Sequence, residues 1–291
     1  MKGRIFFAIV VCLGAEQAWA TERYPVTGLI LKIDRSHQTF VASCAAIPNY
    51  MEAMIMPFSV RDPKLLDGLE PSMQVEFTLV VEENDSYAEN VRAHSYQNLE
   101  QEPLLVRRLQ LLDNLDQANP AMNTLTLGQT VSDFTLTDQT KKRVTLSQFA
   151  KKVVAITFIY TSCPLPNYCI RLSNNFGRLQ KRFADQMGRD LVLLSISIDP
   201  VHDQPEVMAK YAETWKADSS SWHFLTGTLS EVKQVCRGFG VNYWPDMGAL
   251  THSLHTVVID RQGKLAANFE GNEFTAEQLG DFVAVMLRLP D

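Results

Sequence analysis

The chain has 291 residues, 46% of them hydrophobic and 21% charged, with a formal net charge of −6. This is ordinary globular material, long enough for one large domain or two unequal ones, and it excludes a disordered or fibrous protein. An acidic balance with no basic stripe, and no interleaving of aromatic and basic residues, excludes nucleic acid as a partner.

Residues 1–20 read as a secretory signal peptide: Lys2 and Arg4, an apolar run from Ile5 to Leu13, then Ala18-Trp19-Ala20 as a small-x-small cleavage site. The run is far shorter than the roughly 20 residues needed to cross a bilayer. Val10-Val11 before Cys12 lacks the small residue of a lipoprotein site. Cleavage is expected to leave an exported, periplasmic chain starting at Thr21 with no transmembrane segment. Losing Lys2, Arg4 and Glu16 moves the charge from −6 to −7. Four cysteines remain, Cys44, Cys163, Cys169 and Cys236. In that compartment a thiol pair needs a reductant or a metal to stay out of a disulfide. An even count permits two disulfides and assigns neither.

Residues 24–97 alternate like β-structure in VTGLILKID, QTFVASCAAI, AMIMPFSV and MQVEFTLVV, broken by the turn DRSHQ and the short helical stretch DPKLLDGL. Several short strands in so few residues predict a small all-β barrel of OB-like type over 21–97. Within it Met51, Met54 and Met56 crowd into six residues. On an extended strand Met54 and Met56 share a face, about 7 Å apart at Cα. Thioethers are soft, neutral Cu(I) ligands, but methionine also fills small cores, so both uses stay open.

From Leu99 to Asn119 the leucines at 105, 109, 112 and 115 repeat at helical spacing, and Asn119-Pro120 closes the pattern. A helical linker over 98–124 is expected. After Leu127 strands and helices alternate. KKVVAITFIY and LVLLSISID read as buried strands, PEVMAKYAETW and SEVKQVCRGFGV as helices, WHFLT as a short strand, HTVVID and KLAANFE as a hairpin across Arg261-Gln262-Gly263, and TAEQLGDFVAVMLRL as a closing helix. That order predicts an α/β thioredoxin-like domain over 125–291.

The segment TSCPLPNYCIRL places five residues between Cys163 and Cys169, and His252 follows 83 positions after the second cysteine. Two thiolates and an imidazole suit Cu(I) or Zn(II) and suit magnesium or calcium poorly. A cysteine pair after an apolar strand also serves disulfide exchange, or simply a structural disulfide. Pro164 and Pro166 keep the loop extended, so helix is expected to begin near Asn167, with Cys169 in the first turn and its thiolate favoured by the helix N-terminus. Leu254 stands roughly where disulfide oxidoreductases of this fold carry a proline. His255, three residues after His252, is expected to point away from it along a strand. Cys236 shares a helical face with Val232, Val235 and Phe239 and reads as core.

Three ordered motifs, FIYTSCPLPNYC, SISIDPVHDQPEVMAKYA and THSLHTVVIDRQGKL, together resemble the Sco/SenC family of exported thioredoxin-fold proteins. That family binds copper and helps assemble the dinuclear copper centre of cytochrome oxidase. The resemblance covers about 125–291. It implies that Cys163, Cys169 and His252 coordinate copper, as Cu(I) or Cu(II), with Asp199 supporting the site or its partner contacts. Asp199 alternatively caps the turn that follows it. The implied partner is the copper-centre subunit of an oxidase, or another periplasmic copper or thiol protein. The commoner loop of that family has three residues between its cysteines, against five here. Further upstream, IPNYMEAMIMPFSVRDP with LEPSMQVEFTLVV resembles the small CusF-like copper-binding barrels over 24–97, some of which precede Sco-like domains. It implies a second copper site at Met54 and Met56. Cys44 stands about where that family has a histidine, and Tyr50 is the nearby aromatic. The rival function is a thiol-disulfide reductase or peroxidase-like redoxin using Cys163 and Cys169 as nucleophile and resolving thiol. A third is an interaction protein whose cysteines form a structural disulfide.

Overall fold

The computed structural model describes residues 21–94, 124–246 and 249–290. The expected signal peptide and nearly all of the expected linker helix lie outside them.

Alternating burial builds the N-terminal unit. Strands β1 (Glu22–Asp34), β2 (Thr39–Cys44), β3 (Met54–Ser59), β4 (Gln74–Val81) and β5 (Ser86–His94) form one antiparallel sheet in the order β3-β2-β1-β4-β5. Pro63–Leu66 forms a single 3-10 turn where DPKLLDGL was read as helical, its Lys64 N–H capped by the Asp62 carboxylate. Inward residues of each strand meet in a core around Phe40, Phe58 and Phe77, whose ring centres stand 4.7 to 5.4 Å apart. The sheet curls until its edges touch at one parallel bridge, Val60 with Ala88, and Ser59 Oγ donates to the Ser86 carbonyl at 3.0 Å. The ladder does not close, so this is a curled open sheet where a barrel was expected. Irregular register in β1 at Ile30/Lys32 and in β4 at Glu76/Thr78 bends the strands without completing the ring. Strand β5 was not anticipated, because SYAENVRAH is polar and lacks a sustained apolar alternation.

The C-terminal unit is a seven-stranded sheet. Its strands are β6 (Thr135–Asp138), β7 (Arg143–Thr145), β8 (Val153–Ile159), β9 (Leu191–Ser197), β10 (Trp222–Thr226), β13 (His255–Ile259) and β14 (Leu265–Glu270), with a separate hairpin of β11 (Tyr243–Asp246) and β12 (Ala249–His252). The order is β14-β13-β8-β9-β10-β6-β7, with β8, β9 and β10 parallel and β13 antiparallel to both neighbours. Every residue of β8 and β9 is buried, as near-continuous apolar runs in a parallel sheet should be, including Thr157, Ser195 and Ser197. Helices α1 (Arg171–Arg182), α2 (Pro205–Thr214), α3 (Leu229–Gly238) and α4 (Ala276–Arg288) cover the sheet. Thr228 and Thr275 open α3 and α4 with reciprocal capping boxes. This is the expected thioredoxin-like arrangement, with β6, β7 and the β11–β12 hairpin added to what the pattern predicted. Among the described residues no helix is long and apolar enough to cross a membrane.

The two sheets are joined by a row that crosses four strands. His94, Gln74, Leu29 and Ser43 are successive register partners, so their side chains share one face. His94 Nε2 lies 3.1 Å from Glu273, Gln74 Nε2 donates to Gln278 at 3.1 Å, and Ser43 Oγ donates to Asp281 at 2.7 Å. Leu29, fully buried, belongs to the C-terminal core. Truncating a buried leucine costs about 2–5 kcal/mol. Leu29→Ala is therefore expected to destabilise the protein by ~3 kcal/mol in urea unfolding, and a loss below ~1 kcal/mol would mean that this seam is not a packed core.

Candidate metal and thiol site

The site begins where β8 stops. Tyr160 is buried, and the loop after it turns through a bond from the Cys163 N–H to the Tyr160 carbonyl at 3.3 Å. Proline at 164 and 166 keeps Leu165 extended (φ −98°, ψ 109°). A wide irregular turn, Pro166–Ile170, follows, broken at Tyr168 (φ −110°, ψ −107°), and regular helix begins only at Arg171. The helix thus starts later than the sequence predicted, and Cys169 sits in the irregular turn before it.

Cys169 is fully buried, whereas Cys163 is half-buried. The two thiol groups are hydrogen-bonded to each other, and their ionisation is divided. The hydrogen bond from the Cys169 side chain is the main reason that the Cys163 thiol is held down to about 6, against the opposing effect of its own burial. Donating that bond, and then burial, push Cys169 far above the ordinary thiol range. The expectation that a helix N-terminus favours the Cys169 thiolate is overturned: the stabilised thiolate is Cys163, and its donor is the buried partner rather than a helix dipole.

His252 ends β12, opposite Tyr243 in the hairpin register. It is 6% exposed. A carbonyl can only accept, so the Nδ1–H donates to the Ser253 carbonyl at 2.9 Å, and Nε2 keeps its lone pair. That nitrogen faces Cys169 Sγ at 3.9 Å, with the Tyr160 ring edge-on at 5.9 Å. Burial lowers the imidazole to about 4, against the smaller opposing effect of the Ser253 carbonyl. A neutral ring whose Nδ1–H is fixed by a backbone carbonyl is the form in which histidine ligates metals. His255, also buried, turns to Asn268 at 3.0 Å, away from this cluster as expected.

Cys163, Cys169 and His252 are therefore neighbours through Cys169. They do not form a closed set: among the described residues no group of three or more His, Cys, Asp and Glu side chains stands assembled to hold a metal ion. The donor types, two sulfurs and a neutral imidazole, fit a soft ion.

Asp199 does not join them. Its carboxylate is engaged by His202 Nδ1 at 2.8 and 2.9 Å, and its N–H donates to Ser197 Oγ at 3.0 Å, which is the turn-capping alternative. The acid that reaches the cysteine loop is Asp203, four residues on and 1% exposed. It accepts from Thr161 N at 3.0 Å, from Thr161 Oγ1 at 2.5 Å and from Ser197 Oγ at 2.6 Å. The second aspartate of DPVHDQP was the available signal.

In the N-terminal sheet Cys44 pairs with Met54, and Ala42 with Met56, so all four share the inward face. Cys44 is buried, which pushes its thiol up to about 12, while Met54 is 46% exposed and Met56 half-buried. Gly28 stands across from Cys44, and a Cβ there would lie 3.2 Å from its Sγ and 3.1 Å from the Ser43 carbonyl. Tyr50, the nearby aromatic, stacks on Tyr24 at 3.9 Å between ring centres. Cys236 is core, as expected, and all four described cysteines are free thiols.

Comparison with known proteins follows the same division. The SCO1/SenC family model matches residues 123–287, and the model for the copper binding periplasmic protein CusF matches 23–92. The SCO1 protein homolog of Bacillus subtilis is 27% identical over 153 residues, covering 51% of this chain and 78% of that protein. Protein sco1 of Schizosaccharomyces pombe is 28% identical over 171 residues, covering 56% of this chain and 63% of its own length. A solved structure from Aquifex aeolicus VF5, at 17% identity and a TM-score of 0.50 over 56% of this chain and 95% of that one, shares the fold. With the family model spanning more than half of its length, the chain belongs to the SCO1/SenC family.

Proposed function

We propose that this protein is a periplasmic copper metallochaperone that takes part in assembling the copper centre of a cytochrome oxidase. It holds its cargo through Cys163, Cys169 and His252 and delivers it to the oxidase's copper-centre subunit. The observation that carries the reading is the His252 imidazole, neutral, buried and fixed at Nδ1, with its free Nε2 against a sulfur that is itself bonded to a thiolate. Copper supplies a soft acceptor for these three donors. The chain supplies the rest: Cys163 is already ionised near neutral pH, Cys169 must give up a proton on ligation, and the cysteine loop must turn Cys163 inward to complete the set. The proposed organisation is a signal peptide over 1–20, a CusF-like unit over 21–97, a helical linker over 98–124 and the Sco/SenC domain over 125–291. Met54 and Met56 with Cys44 form a second, weaker copper site in the first unit, which the shared face supports.

One observation favours a second reading, that of a thiol-disulfide reductase. An accessible low-pKa thiol beside a buried high-pKa one is the arrangement of attacking and resolving cysteines. Cys163 would attack a substrate disulfide and form a mixed disulfide. Cys169 would then lose its proton and displace the substrate as thiol, leaving Cys163 and Cys169 joined and the substrate reduced by two electrons.

Titration of the reduced protein with Cu(I) against a competing chelator separates the two. Cys169→Ser and His252→Ala are each expected to lower Cu(I) affinity about a hundredfold, ~2.8 kcal/mol, and weak binding that neither changes would sink the copper reading. Met54→Leu combined with Met56→Leu should remove one bound Cu(I) and leave the other; unchanged stoichiometry would return both methionines to a packing role. Iodoacetamide labelling with peptide mass mapping should report Cys163 with an apparent pKa of about 6. Its rate should be flat above that pH and fall about tenfold per unit below, because only the thiolate reacts. Cys169 should stay unlabelled through the ordinary thiol range. A Cys163 midpoint at the usual ~8.5 would remove the asymmetry.

A further inference from the structure

The ladder between β8 and β9 ends with the bond from the Ile198 N–H to the Ile159 carbonyl at 2.9 Å. Beyond it the chain must leave the sheet, reverse and present Cys163 within four residues of β8. Backbone groups at such an exit need partners, because an unpaired buried polar group costs about 1–3 kcal/mol. Asp203 meets that need. Its carboxylate takes the Thr161 N–H and hydroxyl on different oxygens and the Ser197 hydroxyl on one of them, while 1% exposed. Asp203 is itself anchored: its N–H bonds the Asp199 carbonyl at 2.9 Å, and the adjacent Gln204 side chain donates to the Pro200 carbonyl at 2.6 Å. A buried charged acceptor with three donors is among the stronger local constraints a loop can have.

We infer that Asp203 is a positioning residue for the soft-ligand site: by fixing Thr161 it sets how Cys163 approaches Cys169 and His252. This rests on the copper reading above and adds a residue that touches none of the three donors. The clamp occurs with both thiols free. Closing a disulfide draws the sulfurs to about 2.05 Å and must shift the loop, so the clamp favours the open dithiol, the form that takes up a soft ion.

The test compares Asp203→Asn, Thr161→Val and the double variant in the reduced protein. Three quantities are read: Cu(I) affinity against a chelator, the dithiol–disulfide equilibrium against dithiothreitol, and urea stability. Each single variant should lower Cu(I) affinity about tenfold, in line with the usual effect of losing an outer support of a metal site. Each should also shift the equilibrium toward the disulfide about tenfold, ~30 mV for a two-electron couple. The double variant should match the stronger single one, since both act through the same bonds. A lowered urea midpoint with unchanged affinity and equilibrium, or effects that simply add, overturns the inference. Should Asp203→Asn fail to fold, Thr161→Val carries the test alone, because it removes the hydroxyl donor and keeps the carboxylate. If the wild type does not bind Cu(I), it is the copper reading that fails, and the equilibrium against dithiothreitol still decides the role of Asp203.

Discussion

Cys169 is the atom around which the site is organised, a fully buried sulfur that must satisfy two neighbours at once. It donates to the Cys163 thiolate on one side and faces the free nitrogen of His252 on the other. Burial gives these contacts their strength, since a thiolate or an imidazole in water would exchange such partners for solvent at little cost. It also explains the division of charge. Desolvation opposes a second thiolate beside the first, so the buried sulfur keeps its proton and the half-buried one gives its proton up.

That burial is supplied by the sheet. The wholly buried strands β8 and β9 fix the plane from which the cysteine loop departs, and β13 pairs antiparallel with β8 beside them. The β11–β12 hairpin then brings His252 over the loop from a separate stretch of chain. Two irregular elements, the broken turn at Tyr168 and the exit at Thr161, lie on either side of Cys163. Neither is held by a regular ladder. The Asp203 carboxylate therefore does at the exit what the sheet does elsewhere.

Much of this was legible in the sequence, and the parts that were not share a cause. Periodicity identified the buried strands and the covering helices, and residue type and order picked out Cys163, Cys169 and His252, because apolar runs and rare residue types announce themselves. It missed β5, β6 and β7, which are short or polar and are specified by their neighbours rather than by their own pattern. The resemblance implied Asp199 as support for the site or its partner contacts; the carboxylate that bonds the start of the cysteine loop is Asp203, which local pattern does not distinguish from it. The stabilised thiolate was assigned to Cys169 because a helix start was expected there. A kink at Tyr168 moved that start from near Asn167 to Arg171, and the ionisation followed contact geometry instead. The curled sheet stayed open because closure depends on the register of long-range pairs, which no local pattern contains.

The same alternation couples the two units to their chemistry. Ser43 and Cys44 are adjacent on β2 and face opposite sides: Ser43 reaches Asp281 of α4, and Cys44 turns into the curled sheet beside Gly28 and opposite Met54. A slip of one residue in that strand would carry the cysteine to the seam and the serine into the core. The docking row and the inner soft-ligand row are thus fixed by one register. The outer row reaches the loop before α4 at Glu273 through His94, and the backbone carbonyls of Glu273 and Phe274 accept from Arg171, the first residue of the helix after the cysteine turn. Ser43, at the other end of the row, meets α4 eight residues later in the chain, at Asp281. The Cys44–Met54 pair therefore lies at the end of the row away from the cysteine loop. The register that docks the two units therefore also sets the Cys44–Met54 pair apart from the cysteine loop.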